Sequence, residues 1–212
     1  MNFYVLKSGS KGNSTIIEDR KSNTSILIDC GISKKCFIDA CRKLNLEIKN
    51  FKAIFITHEH SDHTKQLGII VRAFSSFGVY PKIYISKKIV NSSNRIREDV
   101  SNNAQQNLLH NKEYKIGGIT ITAFKTSHDS VFSCGFRFQT DNDSIGYVAD
   151  TGKITHSMKK YLEYCRILAI ESNHDKTMLI NGEYPEDLKE RILSDCGHLS
   201  NKTASELLKY VC

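Results

Sequence analysis

Three imidazoles and a carboxylate fall within six residues of this chain, in the order His58-x-His60-x-Asp62-His63. Imidazole nitrogen suits zinc, and a set that mixes imidazole with carboxylate also accepts manganese or iron. In extended or turning backbone His58 and His60 point to one side while Asp62 and His63 swing to another. That arrangement suits two adjacent ions better than one. An incidental polar loop would rarely concentrate ligand-type residues so densely. His128 and Asp150, each just past an apolar stretch, carry the same chemistry further along the chain. One extra imidazole would close a first ion, and one carboxylate would bridge it to a second. Two ions roughly 3.5–4 Å apart activate water near neutral pH and absorb the charge that develops on an attacked phosphoryl or acyl group.

Ligands of this kind need rigid elements behind them. Residues 51–56 read as a strand of a buried sheet, and Leu67, Ile70, Val71 and Phe74 recur at helical spacing, so a helix is expected from near Thr64. The ligand loop then lies on a strand-to-helix turn at a sheet edge, where α/β folds bind ligands. Upstream, strands are expected over 2–6, 15–17 and 25–28. Between the first two runs Ser8-Gly9-Ser10-Lys11-Gly12-Asn13-Ser14, for which a hairpin turn and a phosphate cradle are both open readings. Asp29 ends the third strand and precedes Cys30-Gly31. It is placed either for a plain turn or, with Thr57, to hydrogen-bond a ligating histidine from behind.

The periodicity over 33–46 is that of an amphipathic helix, with Phe37, Ile38, Cys41 and Leu44 inward. A strand is expected over 82–85, and the mixed-charge stretch 86–115 reads as surface helix and loop. Strands follow over 119–124, 131–138, 144–149 and 167–170. A helix over 202–211 has Ser200 at its cap. His110 and His156 read as surface residues. No linker, repeat or low-complexity run divides the chain, so one domain over 1–212 is expected.

With 212 residues and 40% apolar content, the chain can bury a substantial core. Its net charge of +7 and pI near 9.0 favour a polyanionic partner. Seven cysteines without a Cys-x-x-Cys pair read as reduced thiols of a cytoplasmic protein. The apolar start at 3–6 is too short for a signal peptide, and no run approaches the roughly 20 apolar residues of a membrane span.

The ordered set His58, His60, Asp62, His63, His128 and Asp150 resembles the metallo-β-lactamase superfamily. The resemblance covers essentially the whole chain and implies an αββα four-layer sandwich (α/β, or α+β). The segments Ser8 to Ser14, Tyr147-Val148-Ala149-Asp150-Thr151-Gly152, Glu171-Ser172-Asn173-His174-Asp175 and Gly197-His198-Leu199-Ser200-Asn201 are similar to the YycJ/WalJ subgroup, a set of phosphodiesterases or DNA exonucleases. The resemblance assigns His58, His60 and His128 to a first metal, Asp62 and His63 to a second, and Asp150 to both. It makes a metal-bound hydroxide the nucleophile, oriented by Asp62. Glu171 and His198 match an acidic residue and a proton-donating histidine of related nucleases. Ser10, Lys11, Asn13, Asn173 and His174 are expected against a DNA substrate, with Asp29 and Thr57 behind the ligands. Two divalent ions, zinc first, with manganese or iron as substitutes, are the implied cofactors.

Two departures from the subgroup stand out. Gln66 replaces a glycine common after the metal loop, with Gly68 two residues on. The subgroup normally continues past Cys212 with a further strand and a final ligating histidine. The expectation is therefore a fold short at its C-terminal end, with a weak second site or one that recruits His198. Two rival readings follow: a hydrolase of thioesters, lactones or lactams on the same fold, or a truncated metal-binding protein without activity.

Overall fold

The β-branched run Thr15-Ile16-Ile17 pairs antiparallel with the apolar run ending at Ile28, with Thr15 opposite Ile28 and Ile17 opposite Ile26, and both runs are almost wholly buried. They are the second and third strands of a six-stranded sheet. In chain order its strands are β1 (Asn2–Lys7), β2 (Ser14–Asp19), β3 (Thr24–Ile28), β4 (Phe51–Phe55), β5 (Lys82–Ile85) and β6 (Gln105–Asn107), hydrogen-bonded in that same order. The hairpins β1–β2 and β2–β3 are antiparallel, whereas β3 to β6 run parallel. Parallel neighbours need crossovers. Helices supply them: α1 (Lys34–Lys43), then α2 (Ser61–Thr64) and α3 (Leu67–Ser76), then α4 (Lys87–Ser92) and α5 (Asn94–Val100).

The structure, a computed structural model, describes residues 1–212 as two compact units: Met1–Leu109 with Tyr114–Thr120, and His110–Glu113 with Ile121–Cys212. In the first, Phe37 of α1, Phe51 of β4 and Phe74 of α3 meet edge-on or tilted at 5.3–5.5 Å between ring centroids. These three rings bury 100°-spaced helix faces on the sheet, as the periodicity predicts.

A five-stranded sheet follows, order β11–β10–β9–β8–β7, from β7 (Glu113–Ile116), β8 (Ile119–Lys125), β9 (Cys134–Thr140), β10 (Asp143–Val148) and β11 (Ile167–Ile170). The chain crosses between the units after Leu109, after Glu113 and after Thr120. In this five-stranded sheet β9–β10 is antiparallel and β10–β11 parallel, the latter pair joined through α6 (His156–Leu162). Three helices complete the second unit: α7 (Lys176–Asn181), α8 (Glu186–Leu193) and α9 (Asn201–Val211). Its core gathers Phe124, Val148, Met158, Leu162, Leu199, Leu207 and Val211. No helix in the chain is long and apolar enough to cross a membrane.

Most expected elements are present, with three local differences. The expected strand over 131–138 starts at Cys134, because residues 129–133 bend. The expected surface stretch 86–115 contains α4 and α5, capped by the Ser86 and Ser93 hydroxyls, and short strand β6. The expected helix after the ligand loop is split: α2 ends at Thr64 and α3 begins at Leu67. The Gln66 amide between them leaves the helical pattern to donate to Cys30 O at 2.9 Å. Gln66 is thus accommodated at a break. Gly68 is the position without room, since a Cβ there would lie 2.0 Å from Asp99 Oδ1.

All seven cysteines are free thiols. Burial pushes Cys41 up to about 12 and Cys30 well above its ordinary value, so neither is a nucleophile. His110, expected at the surface, is half-buried: its ring stacks on Phe132 at 4.3 Å and its Nε2 lies 2.8 Å from Ser133 O.

Candidate metal centre

In the first unit the ligand-type residues are built on the ends of β3 and β4. Asp29 follows β3 with φ of 59°, a left-handed conformation that short polar side chains tolerate. It is fully buried, and its carboxylate accepts three hydrogen bonds. The Thr57 amide donates to Oδ1 at 2.9 Å, the Thr57 hydroxyl to Oδ2 at 2.8 Å, and His63 Nδ1 to Oδ2 at 2.7 Å. A hydroxyl has one proton, and Thr57 gives it to Asp29. Toward His58 Nδ1, 3.0 Å away, Thr57 Oγ1 must therefore accept. Both His58 and His63 then carry their proton on Nδ1 and their lone pair on Nε2, the tautomer that ligates through Nε2. Their rings lie 4.1 Å apart, and His60 packs edge-on to His58 at 4.7 Å.

Asn13 has an unexpected place here. Its amide Nδ2 lies 2.9 Å from both Asp62 Oδ2 and His63 Nε2, so one N–H edge draws together a carboxylate and an imidazole lone pair. Two acceptors converging on an electropositive edge is the donor set a cation needs, and the residues of this unit fit one. Asn13 was expected against substrate; it is buried, and its partners are candidate ligands. Its backbone is held as tightly: Asn13 N donates to Asp62 O at 2.7 Å and Gly31 N to Asn13 O at 2.9 Å. At Gly31 a Cβ would sit 1.7 Å from Asp62 O, so glycine is obligatory. Ser10 and Lys11 are exposed on the turn itself, whose Gly9 and Gly12 have φ of 133° and 136°. Arg95 of α5 is tied back to the end of α2. Its guanidinium donates to Thr64 O at 3.0 Å, to Thr64 Oγ1 at 2.8 Å and to Asp99 Oδ2 at 2.9 Å, bracing the residue after His63.

In the second unit His128, buried, places Nδ1 3.0 Å from Gly197 O. A carbonyl only accepts, so the proton is on Nδ1 and the Nε2 lone pair lies 3.5 Å from Asp150 Oδ2. Asp129 lies 3.4 Å from the same Nε2 and forms a two-bond ion pair with Arg191. The loops that carry these groups are cross-tied: Asp129 N donates to Cys196 O, Ser127 N to Thr151 Oγ1, and Gly152 N to Ser127 O.

Glu171 and His198 form a pair, as the resemblance implies. His198 Nδ1 is 2.5 Å from Glu171 Oε1, while Glu171 Oε2 accepts from Thr151 N at 3.0 Å and Leu199 N at 3.2 Å. Burial raises the Glu171 carboxyl, partly offset by His198. For His198 burial opposes the charge, but the hydrogen bond and charge of Glu171, helped by Asp150, win and hold it above its ordinary value. Leu199 anchors this loop in the core, and Ser200 caps α9 by accepting from Thr203 N. The helix cap at Ser200 and the Glu171–His198 hydrogen bond therefore sit two residues apart on one loop. Asn173 and His174 run beside it: Asn173 N donates to Leu199 O, and His174 forms an isolated parallel bridge with Ser200. Burial, then the charge of His198, lowers the His174 imidazole.

The Beta-lactamase superfamily domain family matches residues 24–212 of this chain. The metallo-β-lactamase fold protein YhfI from Bacillus subtilis superposes with a TM-score of 0.75 at 16% identity, over 99% of this chain and 80% of that one. Together with the two-sheet architecture, these matches make this a metallo-β-lactamase fold. In sequence, the chain is 35% identical to exodeoxyribonuclease WalJ of Streptococcus pneumoniae serotype 2 (strain D39), over 97% of this chain and 75% of that protein. It is 32% identical to exodeoxyribonuclease YycJ of Bacillus anthracis over the same shares. The chain belongs to the metallo-β-lactamase superfamily, in its YycJ/WalJ-like branch.

Proposed function

We propose that the two units work as a single hydrolase domain over 1–212 that cleaves phosphodiester bonds in DNA as a cytoplasmic, metal-dependent exonuclease. The observation that carries the reading is the control of tautomer. Asp29 holds the Nδ1 proton of His63, Thr57 that of His58 and Gly197 O that of His128, so three imidazoles keep their lone pairs on Nε2, those of His63 and His128 3.5 Å from Asp62 and Asp150. On this reading His58, His60 and His128 hold one ion, Asp62 and His63 a second, and Asp150 both. Zinc fits this donor set first, with manganese or iron as substitutes. When bound, the ions supply Lewis acidity toward a phosphate and lower the pKa of water.

The chain's own groups do the rest. Asp62 orients the attacking water through its carboxylate, which Asn13 keeps in place. Glu171 fixes the proton of His198 on Nδ1 and favours the imidazolium, whose Nε2–H donates to the leaving oxygen. Lys11 and Ser10, exposed on the β1–β2 turn, contact backbone phosphate without reading sequence, in keeping with the net charge of +7. The names of the two relatives support DNA as the substrate class.

Elemental analysis of purified protein, paired with cleavage of single-stranded DNA in added zinc or manganese, tests this. Two ions per chain with DNA degradation, both lost in Asp62→Ala and Asp150→Ala, is the expected result. Turnover of thioesters, lactones or lactams with none of DNA would select acyl hydrolysis instead. One ion without turnover of either would mark a metal-binding protein.

A further inference from the structure

The second unit has a cavity of about 650 Å³ that the reading above does not use. It lies around α7, walled by His174, Met178, Leu179 and Tyr184, with Asp175 and Glu183 among its polar groups. Its position follows from the strand pairing already described. His174 pairs with Ser200, two residues past His198. Two residues of extended chain span about 7 Å. The cavity therefore begins about one nucleotide's reach from the imidazole that serves the scissile phosphate.

Its chemistry selects what can enter. Met178 and Tyr184, large side chains that both line the cavity, are 76% and 58% exposed, so their faces are open to a ligand. A thioether and a phenol ring are stacking partners for flat, polarisable rings. The polar groups are equally selective. Asp175 and Glu183 would repel a phosphate, but carboxylates accept N–H bonds. His174 Nδ1 is buried without a hydrogen-bond partner, and His174 lines the cavity. A neutral planar heterocycle with N–H and ring-nitrogen groups on its edge satisfies all of these, and an anion or an aliphatic chain does not.

We infer that this cavity receives the nucleobase adjoining the scissile phosphate, stacked against Tyr184 and Met178 with its edge toward His174 and Asp175. The inference rests on the nuclease reading and adds its specificity element: cleavage depends on a base being present, with its identity only weakly read. Stacking against an aromatic platform is tolerant of sequence because every base has a π-face.

The test compares two single-stranded oligonucleotides that differ only in whether the terminal nucleotide is abasic, using the full metal-loaded chain. Wild type should cleave the intact end with kcat/KM roughly tenfold or more above the abasic end, and in Tyr184→Ala and Met178→Ala that ratio should fall toward about one. Both residues are exposed, so neither change threatens folding. A wild-type ratio near one would overturn the base pocket and leave the nuclease reading standing. An equal loss on both substrates in Tyr184→Ala would also overturn it, since the residue would then serve structure only. Failure of wild type to cleave either DNA would overturn the nuclease reading, and the pocket with it.

Discussion

Asp29→Asn is the most informative single change in the first unit. The substitution is isosteric, and asparagine tolerates the φ of 59° as well as aspartate does, so backbone strain is held constant. What changes is the acceptor count. Asp29 takes three donors: the Thr57 amide, the Thr57 hydroxyl and His63 Nδ1–H. Asparagine keeps one oxygen, and its NH2 faces whichever donors that oxygen does not serve. With the oxygen on Thr57 N, the hydroxyl can rotate away, but His63 Nδ1–H meets another donor. The ring relieves that conflict by moving its proton to Nε2, which removes the lone pair that faces Asn13 and Asp62. Two hydrogen bonds to a charged group, each contributing roughly 1.5–3 kcal/mol, are lost and partly re-formed, so a net cost of about 3 kcal/mol is expected. For a chain of this size that lowers Tm by roughly 10 °C. Metal affinity should fall about 10- to 100-fold, the usual effect of losing a partner behind a ligating histidine. Melting of the metal-free protein and competition against a chromogenic chelator read the two effects separately. A variant that melts lower yet binds metal with wild-type affinity would refute the tautomer argument, because Asp29 would then only stabilise the fold.

Three further changes probe other parts of the same scaffold. Arg95→Ala removes three donors from Thr64 and Asp99 and should cost about 1–3 kcal/mol, read by denaturant melting; Arg95→Lys, which lacks the planar fork, should recover only part. Glu171→Gln should lower kcat on DNA by about 10²-fold or more. Because Glu171 holds His198 above its ordinary value, and a general acid works only while protonated, the alkaline fall of kcat should also move to lower pH in that variant; an unmoved limb would remove His198 from the acid role. Gly197→Ala places a Cβ 2.2 Å from Arg191 O and 2.3 Å from Ile192 O, so the loop must shift and carry Gly197 O away from His128. Metal content per chain should drop in that variant even where circular dichroism reports a native fold.

The sequence made the ligand loop legible because ligating residues have few types and their spacing survives in one dimension. For Asp29 it left two readings, a plain turn or a bond to a histidine of the loop, and the hydrogen bond to His63 Nδ1 is the second of them. Asn13 was harder. Its partners Asp62 and His63 lie 49 and 50 positions away, and nothing in Gly-Asn-Ser distinguishes an amide aimed at substrate from one aimed at ligands. Arg95 is opaque for the same reason: it lies in the mixed-charge stretch read as surface, yet its guanidinium is bound to Thr64, 31 positions back. Helices α6, α7 and α8 were not legible, because six to eight residues are too few to show a 3.6-residue period. The split between α2 and α3 is set by a backbone bond from Gln66 to Cys30, and backbone bonds leave no side-chain signature.

One device recurs in both units, and its two forms differ in how they can fail. In the first, side chains settle which nitrogen of His58 and His63 carries the proton: a carboxylate orders a hydroxyl, and together they order two imidazoles. Point mutation can break that relay without moving the backbone. In the second, a main-chain carbonyl does the same for His128, and no substitution removes a carbonyl. Only displacement of the loop does so, and the loop is held by Leu199 in the core, by Leu199 N and Thr151 N on Glu171, and by a glycine with no room for a side chain. Defects at His63 should therefore appear as lost affinity in a well-folded protein. Defects at His128 should appear together with loss of the Glu171–His198 pair, because one loop carries Gly197 and His198. His128 and the Glu171–His198 pair of the second unit are thus positioned by a single backbone segment, so a change that displaces it should disturb both.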